Sequence, residues 1–369
     1  MKKMLAFMLV LCMTMSLAAC GSPSSQAPAE ETNQPTAEAE PAEEEGKEDA
    51  ADETNATEAA EVDPVTIRIY NPVSGATTDG MIENFSQLVS DYSNGAITCD
   101  ITPAGTLGAE KETGDMLQLG DIDLTLLSID GVDMATANVG MSWICLPFLF
   151  DSYEDVDSEF VNGWMFERQQ EVAREAGLDL VAPIENGLKV LIANGKEVQT
   201  LEDFKGMVLR VPDIKFHHAY YTALGAMPIS GIDQYTGMQQ GTMDGIPNNP
   251  WALELFNVDE VCEWIMELND IYGTMYWVAN ADFTSNLTDE QREIIYKACE
   301  ETAVTTRQEM RKIGEDWLQM CKDNPDINVY EPSEEMVAKM KEIAHQIWEE
   351  YADQFDPVAM ERILSEYTQ

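Results

Sequence analysis

Positive charge is scarce in this chain. Its 369 residues carry 21 Lys and Arg against 68 Asp and Glu, a formal net charge of −47. Recognition of a phosphate backbone needs a basic face, so DNA and RNA drop out as partners. Histidine is scarcer still, with three residues. His217 and His218 are sequence neighbours, which on a helix point about 100° apart. His345 lies on another segment, so no histidine set with metal-ligand spacing is present. The seven cysteines include no Cys-x-x-Cys pair, and the five beyond Cys20 are an odd number. A zinc ribbon and a complete disulfide framework are therefore not indicated. There is no Gly-x-Ser-x-Gly elbow, no His-Glu-x-x-His helix and no Walker loop. Paired-carboxylate catalysis has no signature of its own, because 68 acids allow any pairing. What the chain does have is 44% apolar residues. That is enough to bury a core, and it excludes a uniformly disordered acidic chain. The length fits one large domain or two ordinary ones.

The N-terminal 20 residues read as a secretory signal peptide. Lys2 and Lys3 precede an apolar stretch, Leu5 to Ala18, of 14 residues. That is short of the roughly 20 needed to cross a bilayer. Leu17, Ala18, Ala19 and Cys20 resemble the lipobox of bacterial lipoproteins, which implies that Cys20 carries a lipid and anchors the protein to a membrane. Residues 21–63 are rich in Ala, Pro, Ser, Thr, Gln and Glu, with 14 acids, one Lys and no aromatic residue. A segment of this composition cannot offset the entropy of ordering, so it reads as a disordered acidic tether. Flexible chain of that length reaches about 35–40 Å.

From residue 64 the pattern changes. Val65 to Ile69 and Ile97 to Ile101 alternate as strands do, and Met81 to Tyr92 carries a helical apolar stripe. Ile122 to Leu127 is apolar enough for a buried strand. Val156 to Ala176 reads as helical, and Leu178 to Ile184, Lys189 to Ala193 and Val208 to Val211 as strands. This alternation predicts an α/β protein with mixed sheets. Thr288 and Gln291 fit a capping box at the start of a helix of about 30 residues. Such a helix is roughly 45 Å long, long enough to tie two lobes together. A second amphipathic helix is expected from Ser333 to Tyr351.

Arg210 stands at the end of an apolar strand, followed by Val211 and Pro212. Its planar fork suits bidentate binding of a carboxylate; a salt bridge to one of the many acids is the other reading. The surrounding segments supply context. Thr200 to Pro212 (TLEDFKGMVLRVP), Ala223 to Ala226 (ALGA), Tyr235 and Gln240 to Gly245 (QGTMDG) resemble the solute-binding proteins of TRAP (tripartite ATP-independent periplasmic) transporters. So do Leu107-Gly108, Leu119 to Asp123 (LGDID) and Leu146 to Phe150 (LPFLF). The matches run collinearly from about residue 64 to 352.

The resemblance implies a two-lobed periplasmic-binding-protein-like α/β fold with a central cleft and a long bridging helix. Lobe I is expected from 64–187 and 275–314, lobe II from 188–274 and 315–355, with 356–369 as a C-terminal tail. It implies that Arg210 clamps a ligand carboxylate. An Asn before Pro contacts the ligand in this family; here Asn249 is favoured over Asn248, because the segment is one residue longer than usual. A second Arg often follows an Asn-Gly-aromatic run, and this chain has Lys189 there, which keeps the charge but loses the fork; a plain surface Lys is the other reading. Glu110 falls where a cleft residue is common, though a solvated helix-start Glu fits equally well. Tyr235 is expected near the cleft floor, and Trp251 either as an apolar ligand wall or in the core. Trp143 and Trp277 lie near matched segments. The expected function is an extracytoplasmic receptor that captures a small carboxylate and delivers it to TRAP membrane subunits, with no cofactor, metal or catalysis. A binding protein for an ATP-driven transporter, a sensor component and an anchored hydrolase are the alternatives.

Overall fold

The computed structural model describes residues 62–73 and 75–367. The signal peptide, Cys20 and nearly all of the tether lie outside the described residues.

Among the described residues, eleven strands form two sheets. They are β1 (Val65–Tyr70), β2 (Ile97–Thr102), β3 (Leu124–Ser128), β4 (Leu178–Leu188), β5 (Val190–Ala193), β6 (Val208–Arg210), β7 (Met227–Ile229), β8 (Gly245–Asn248), β9 (Trp264–Met266), β10 (Tyr272–Asn280) and β11 (Asn328–Tyr330). The first sheet has the order β2-β1-β3-β10-β4 and the second β11-β9-β5-β8-β6-β7. Both are mixed: β1 runs parallel to β2 and β3, whereas β10 runs antiparallel to β3 and β4. In the second sheet β6 is parallel to β7 and β8, and β5 is antiparallel to β8 and β9. The two sheets are the centres of two lobes.

The chain passes between the lobes on adjacent strands. β4 ends at Leu188 in the first sheet and β5 begins at Val190 in the second, so Lys189 alone makes the crossing. The return runs from β9 through residues 267–271 to β10. The two crossings hydrogen-bond to each other: Lys189 N donates to Ile271 O at 3.0 Å, and Asn269 N donates to Lys189 O at 2.8 Å.

The long helix is Asp289–Asp323, 35 residues, or about 52 Å at 1.5 Å per residue. Its capping box is formed as the sequence predicts: Gln291 N donates to Thr288 Oγ1 at 3.2 Å and Thr288 N donates to Gln291 Oε1 at 2.8 Å. Ile295, Ala298, Cys299 and Ala303 pack with Phe85, Leu126 and Trp277 of the first lobe. Cys321 packs with Val190, Ile246 and Ile265 of the second. One helix thus carries apolar surface for both cores, which explains a length that a single small lobe would not need.

Two stretches differ from the sequence-level expectation. The helix expected over Val156 to Ala176 breaks at Asn162-Gly163, and its second part is Trp164–Glu175. The break follows from Gly163, where an added Cβ would lie 2.4 Å from the carbonyl oxygens of Ser158 and Glu159. The residues read as a C-terminal tail hold a helix, Pro357–Glu366. Asp356 caps it by accepting from Ala359 N, Pro357 fits its first turn, and Ala359, Met360 and Ile363 bury the helical face. Asp356 also pairs with Arg168 at 2.7 Å, which fixes the end of the chain to the first lobe.

Candidate functional site

Arg210 is the last residue of β6, at the carboxyl end of a strand that runs parallel to both its neighbours. Ligands of open α/β sheets bind outside such ends. The side chain is partly buried, its Nε is buried without a hydrogen-bond partner, and burial lowers its pKa. Six of the other seven arginines among the described residues hold an acid, and Arg307 donates to Pro183 O. The salt-bridge reading of Arg210 therefore has no partner to support it.

Lys189, the crossing residue, is 8% exposed. Burial lowers its pKa; the charges of Asp270 and Asp130 oppose that, and Arg210 adds to it. Asp270 sits on the returning connection between β9 and β10 and is 1% exposed. Its Oδ2 accepts from Tyr221 Oη at 2.8 Å, and burial pushes its carboxyl up to about 6. His217 faces the same region from the helix Lys215–Ala223. Its Nε2 donates to Cys145 O at 3.0 Å, because a carbonyl can only accept. Burial holds its pKa well below the ordinary value, so the ring is neutral and Nδ1 is an unpartnered acceptor.

On the first lobe, Glu110 is partly buried and both its oxygens are engaged. Ser128 N donates to Oε1 at 2.6 Å and Ser128 Oγ donates to Oε2 at 2.9 Å. Ser128 Oγ in turn accepts from Gly131 N at 3.1 Å. Glu110 thus fixes the turn after β3 and is not a solvated helix-start residue. That turn presents Asp130, which is partly buried. Its carboxyl is pushed up to about 6 by burial, then by the neighbouring charges of Glu110 and Asp133, against the pull of Lys189.

Asn249 and Trp251 face the crossing strand. Asn249 Nδ2 donates to Gly187 O, and Trp251 Nε1 donates to Asn186 O at 2.7 Å. Gly187 has φ +96°, and a Cβ there would meet Tyr153 Oη at 2.9 Å, so the Asn-Gly pair suits this junction. Asn248 turns instead to Gln234, donating to its Oε1 at 3.0 Å. Tyr235 is not brought to this group. Its hydroxyl donates to Glu260 at 3.3 Å and accepts from Gln239 at 3.1 Å, and its ring lines a cavity with Leu255, Phe256 and Asn257. Trp143 and Trp277 are fully buried core residues.

Sequence reasoning missed Asp130, Asp270 and the position of His217. Asp130 had a usable signal, since it follows the apolar Leu124–Ser128 run at the carboxyl end of a strand. Asp270 and His217 had none, because each is defined by what the other crossing brings near it. Among the described residues no group of three or more His, Cys, Asp or Glu is placed to hold a metal ion, and no helix is long and apolar enough to cross a membrane.

Comparison with known proteins gives the same architecture. Residues 71–354 match the family described as bacterial extracellular solute-binding protein, family 7. The chain is 25% identical over 294 residues to the C4-dicarboxylate-binding periplasmic protein DctP of Rhodobacter capsulatus, covering 79% of this chain and 87% of that one. It superposes on a TRAP periplasmic solute-binding protein from Ochrobactrum anthropi with TM-score 0.74 and 23% identity, covering 82% and 95% of the two chains. A Sulfitobacter TRAP protein with bound β-D-galacturonate gives TM-score 0.69 and 20% identity over 82% and 99%. The two-lobed α/β architecture with mixed sheets is the one these proteins share.

Proposed function

The chain belongs to the bacterial extracellular solute-binding protein family 7, and from that premise we propose that it captures a small organic acid between its lobes and delivers it to the membrane subunits of a TRAP transporter. The observation that carries this reading is the unpaired guanidinium of Arg210. Residues 64–369 hold 54 acids and 18 bases, so a partly buried Arg without an acid is a group left for a ligand. A charge-assisted hydrogen bond is worth about 1.5–3 kcal/mol, and a buried cation left unpaired is costly. A carboxylate docking on Arg210 supplies the hydrogen bonds and removes that cost. The carboxylate ligands named for the relatives, a C4-dicarboxylate and a galacturonate, support the same class of solute.

Lys189 adds a second positive charge beside Arg210, at the crossing of the lobes. Asn249 and Trp251 act in this reading through the strand they brace, and Glu110 through Ser128. Closure follows ligand because only the closed arrangement lets both lobes touch it. Lobe I comprises 64–188 with 272–314, and lobe II 189–271 with 315–355, boundaries that keep β4 and β10 whole in the first lobe. Upstream, a signal peptide would direct export, lipidated Cys20 would anchor the protein to the membrane, and 21–63 would act as the tether. The protein holds and releases its acid without altering it.

A thermal-shift screen of organic acids on the intact protein, followed by calorimetry, tests the reading. A true ligand stabilises the fold by RT ln(1 + [L]/Kd). The acid so found should bind at least tenfold more weakly to Arg210→Ala and should be recovered unchanged after incubation. Unaltered affinity in Arg210→Ala removes the carboxylate clamp.

A further inference from the structure

The charges at the lobe junction are arranged with opposite signs on opposite sides. Lobe II contributes Arg210, a cation whose Nε has no partner. Lobe I contributes Asp130, which has no hydrogen-bonding side-chain partner among the described residues, beside Glu110, whose oxygens are both taken by Ser128. Lys189, the residue that crosses between the lobes, interacts electrostatically with both Asp130 and Arg210 and is more than nine-tenths buried. Asp270, on the returning connection, also interacts electrostatically with Lys189. The group therefore holds four carboxylates, Glu110, Asp130, Asp133 and Asp270, against two cations.

This balance discriminates among acids. A dicarboxylate would bring two more negative charges to a junction where acids already outnumber bases. Its second carboxylate would meet Asp130 and Glu110, and like charges in a desolvated place are strongly unfavourable. A ligand with one carboxylate and one ammonium adds no net charge. Its carboxylate meets the Arg210 fork, and its ammonium meets the free oxygens of Asp130. Each lobe would then hold one end, so that neither lobe alone satisfies the ligand.

We infer that the acid taken by this protein is a zwitterion, with its carboxylate on Arg210 and its protonated amine on Asp130. The inference rests on the carboxylate-receptor reading and goes further by naming the second recognition group. Asp130 is a specificity-determining residue in this scheme.

Matched probes with a single carboxylate test it on the intact protein: L-alanine against propionate and L-lactate, L-valine against isovalerate, and γ-aminobutyrate against butyrate. At least one amine-bearing acid should raise the melting temperature and bind at least tenfold more tightly than its amine-free partner. Asp130→Asn should cut that preference to threefold or less. In the unmodified protein the preference should also shrink as pH falls from 7 to 5, because a protonated Asp130 accepts an ammonium poorly. Glu110, Asp133 and Lys189 face Asp130, and using the ratio of matched ligands cancels their common effect on the carboxylate end. The inference is overturned if no zwitterion binds, if lactate matches alanine, if the amine-free acids bind as well, or if Asp130→Asn keeps the preference. Should amine-free acids bind and lose affinity in Arg210→Ala, the receptor reading stands while this inference falls. Should Arg210→Ala bind its acid unchanged, the receptor reading falls as well.

Discussion

Arg311 of the long helix grips Glu185 of β4, with Nη2 2.6 Å from Oε2 and Nε 2.9 Å from Oε1. The Glu185 side chain is 0% exposed and that of Arg311 20%. The same guanidinium reaches Asp157 with two further hydrogen bonds, at 2.7 and 2.8 Å, and lies 4.3 Å from the Tyr153 ring centroid. A planar fork suits two carboxylates at once, which a Lys ammonium cannot reproduce. This cluster fixes the bridging helix to the strand that runs into the lobe crossing.

Removing the cation leaves Glu185 buried and uncompensated. Arg311→Ala is expected to cost about 3 kcal/mol of unfolding free energy, within the range for a broken buried pair. Adding Glu185→Gln should recover a large part, because it removes the stranded charge. Urea unfolding at pH 7 on the four proteins of the cycle checks this. Additive losses would show that the two residues are not coupled.

Arg210 should behave in the opposite way toward stability. Its Nε is buried and unpartnered, and burial lowers its pKa. Without ligand, Arg210→Ala is expected to melt at the same temperature as the unmodified protein or higher, while acid binding weakens at least tenfold. Binding residues commonly cost stability in this manner. A fall of several degrees together with lost binding would instead mark Arg210 as a structural residue.

Much of this architecture is legible in the sequence because local chemistry specifies it. Thr288 and Gln291 announce their helix by mutual capping, and Ser333 caps the helix Glu334–Tyr351 in the same place the sequence suggests. Arg210 stands out because a strand end before a proline is a poor place to solvate a cation. What escapes is defined by distant contacts. Glu110 reads equally as a cleft residue or a solvated helix start until Ser128 arrives from 18 residues away. Tyr235 sits in a matched segment, yet its partners Glu260 and Gln239 hold it elsewhere. Asp270 lies in an unremarkable connection, and becomes notable only where that connection crosses Lys189.

Trp251 offers a clear separation of bracing from ligand contact. Its indole N–H donates to Asn186 O across the lobe junction. Trp251→Phe retains an aromatic ring and deletes the donor, so about 1 kcal/mol of stability should be lost. Affinity for the acid should stay within threefold. A tenfold loss of affinity at unchanged stability would make the indole a wall of the ligand site and not a strut.

Asp130 and Asp270 predict a distinctive pH dependence. Both carboxyls are raised to about 6 in the fold, chiefly by burial, from about 3.9 in the unfolded chain. Between those values the folded state binds more protons than the unfolded state. Stability contributed by these groups is therefore present below about pH 4 and is lost as pH rises through about 6. Each group accounts for up to about 2–3 kcal/mol, since displacing a pKa by one pH unit corresponds to about 1.36 kcal/mol. Asp203, held at about 2 by its bonds to Lys196 and Thr200, has the opposite sign, and its effect is complete below this window. Melting temperature measured from pH 4 to 7 should decline less steeply in Asp130→Asn and in Asp270→Asn than in the unmodified protein. A saturating zwitterion should reverse the contribution of Asp130, because the ammonium favours its ionised form and draws its pKa back down. Parallel pH profiles for Asp130→Asn and the unmodified protein would mean that Asp130 titrates alike in the folded and unfolded states, and would remove its proposed place in the dry junction.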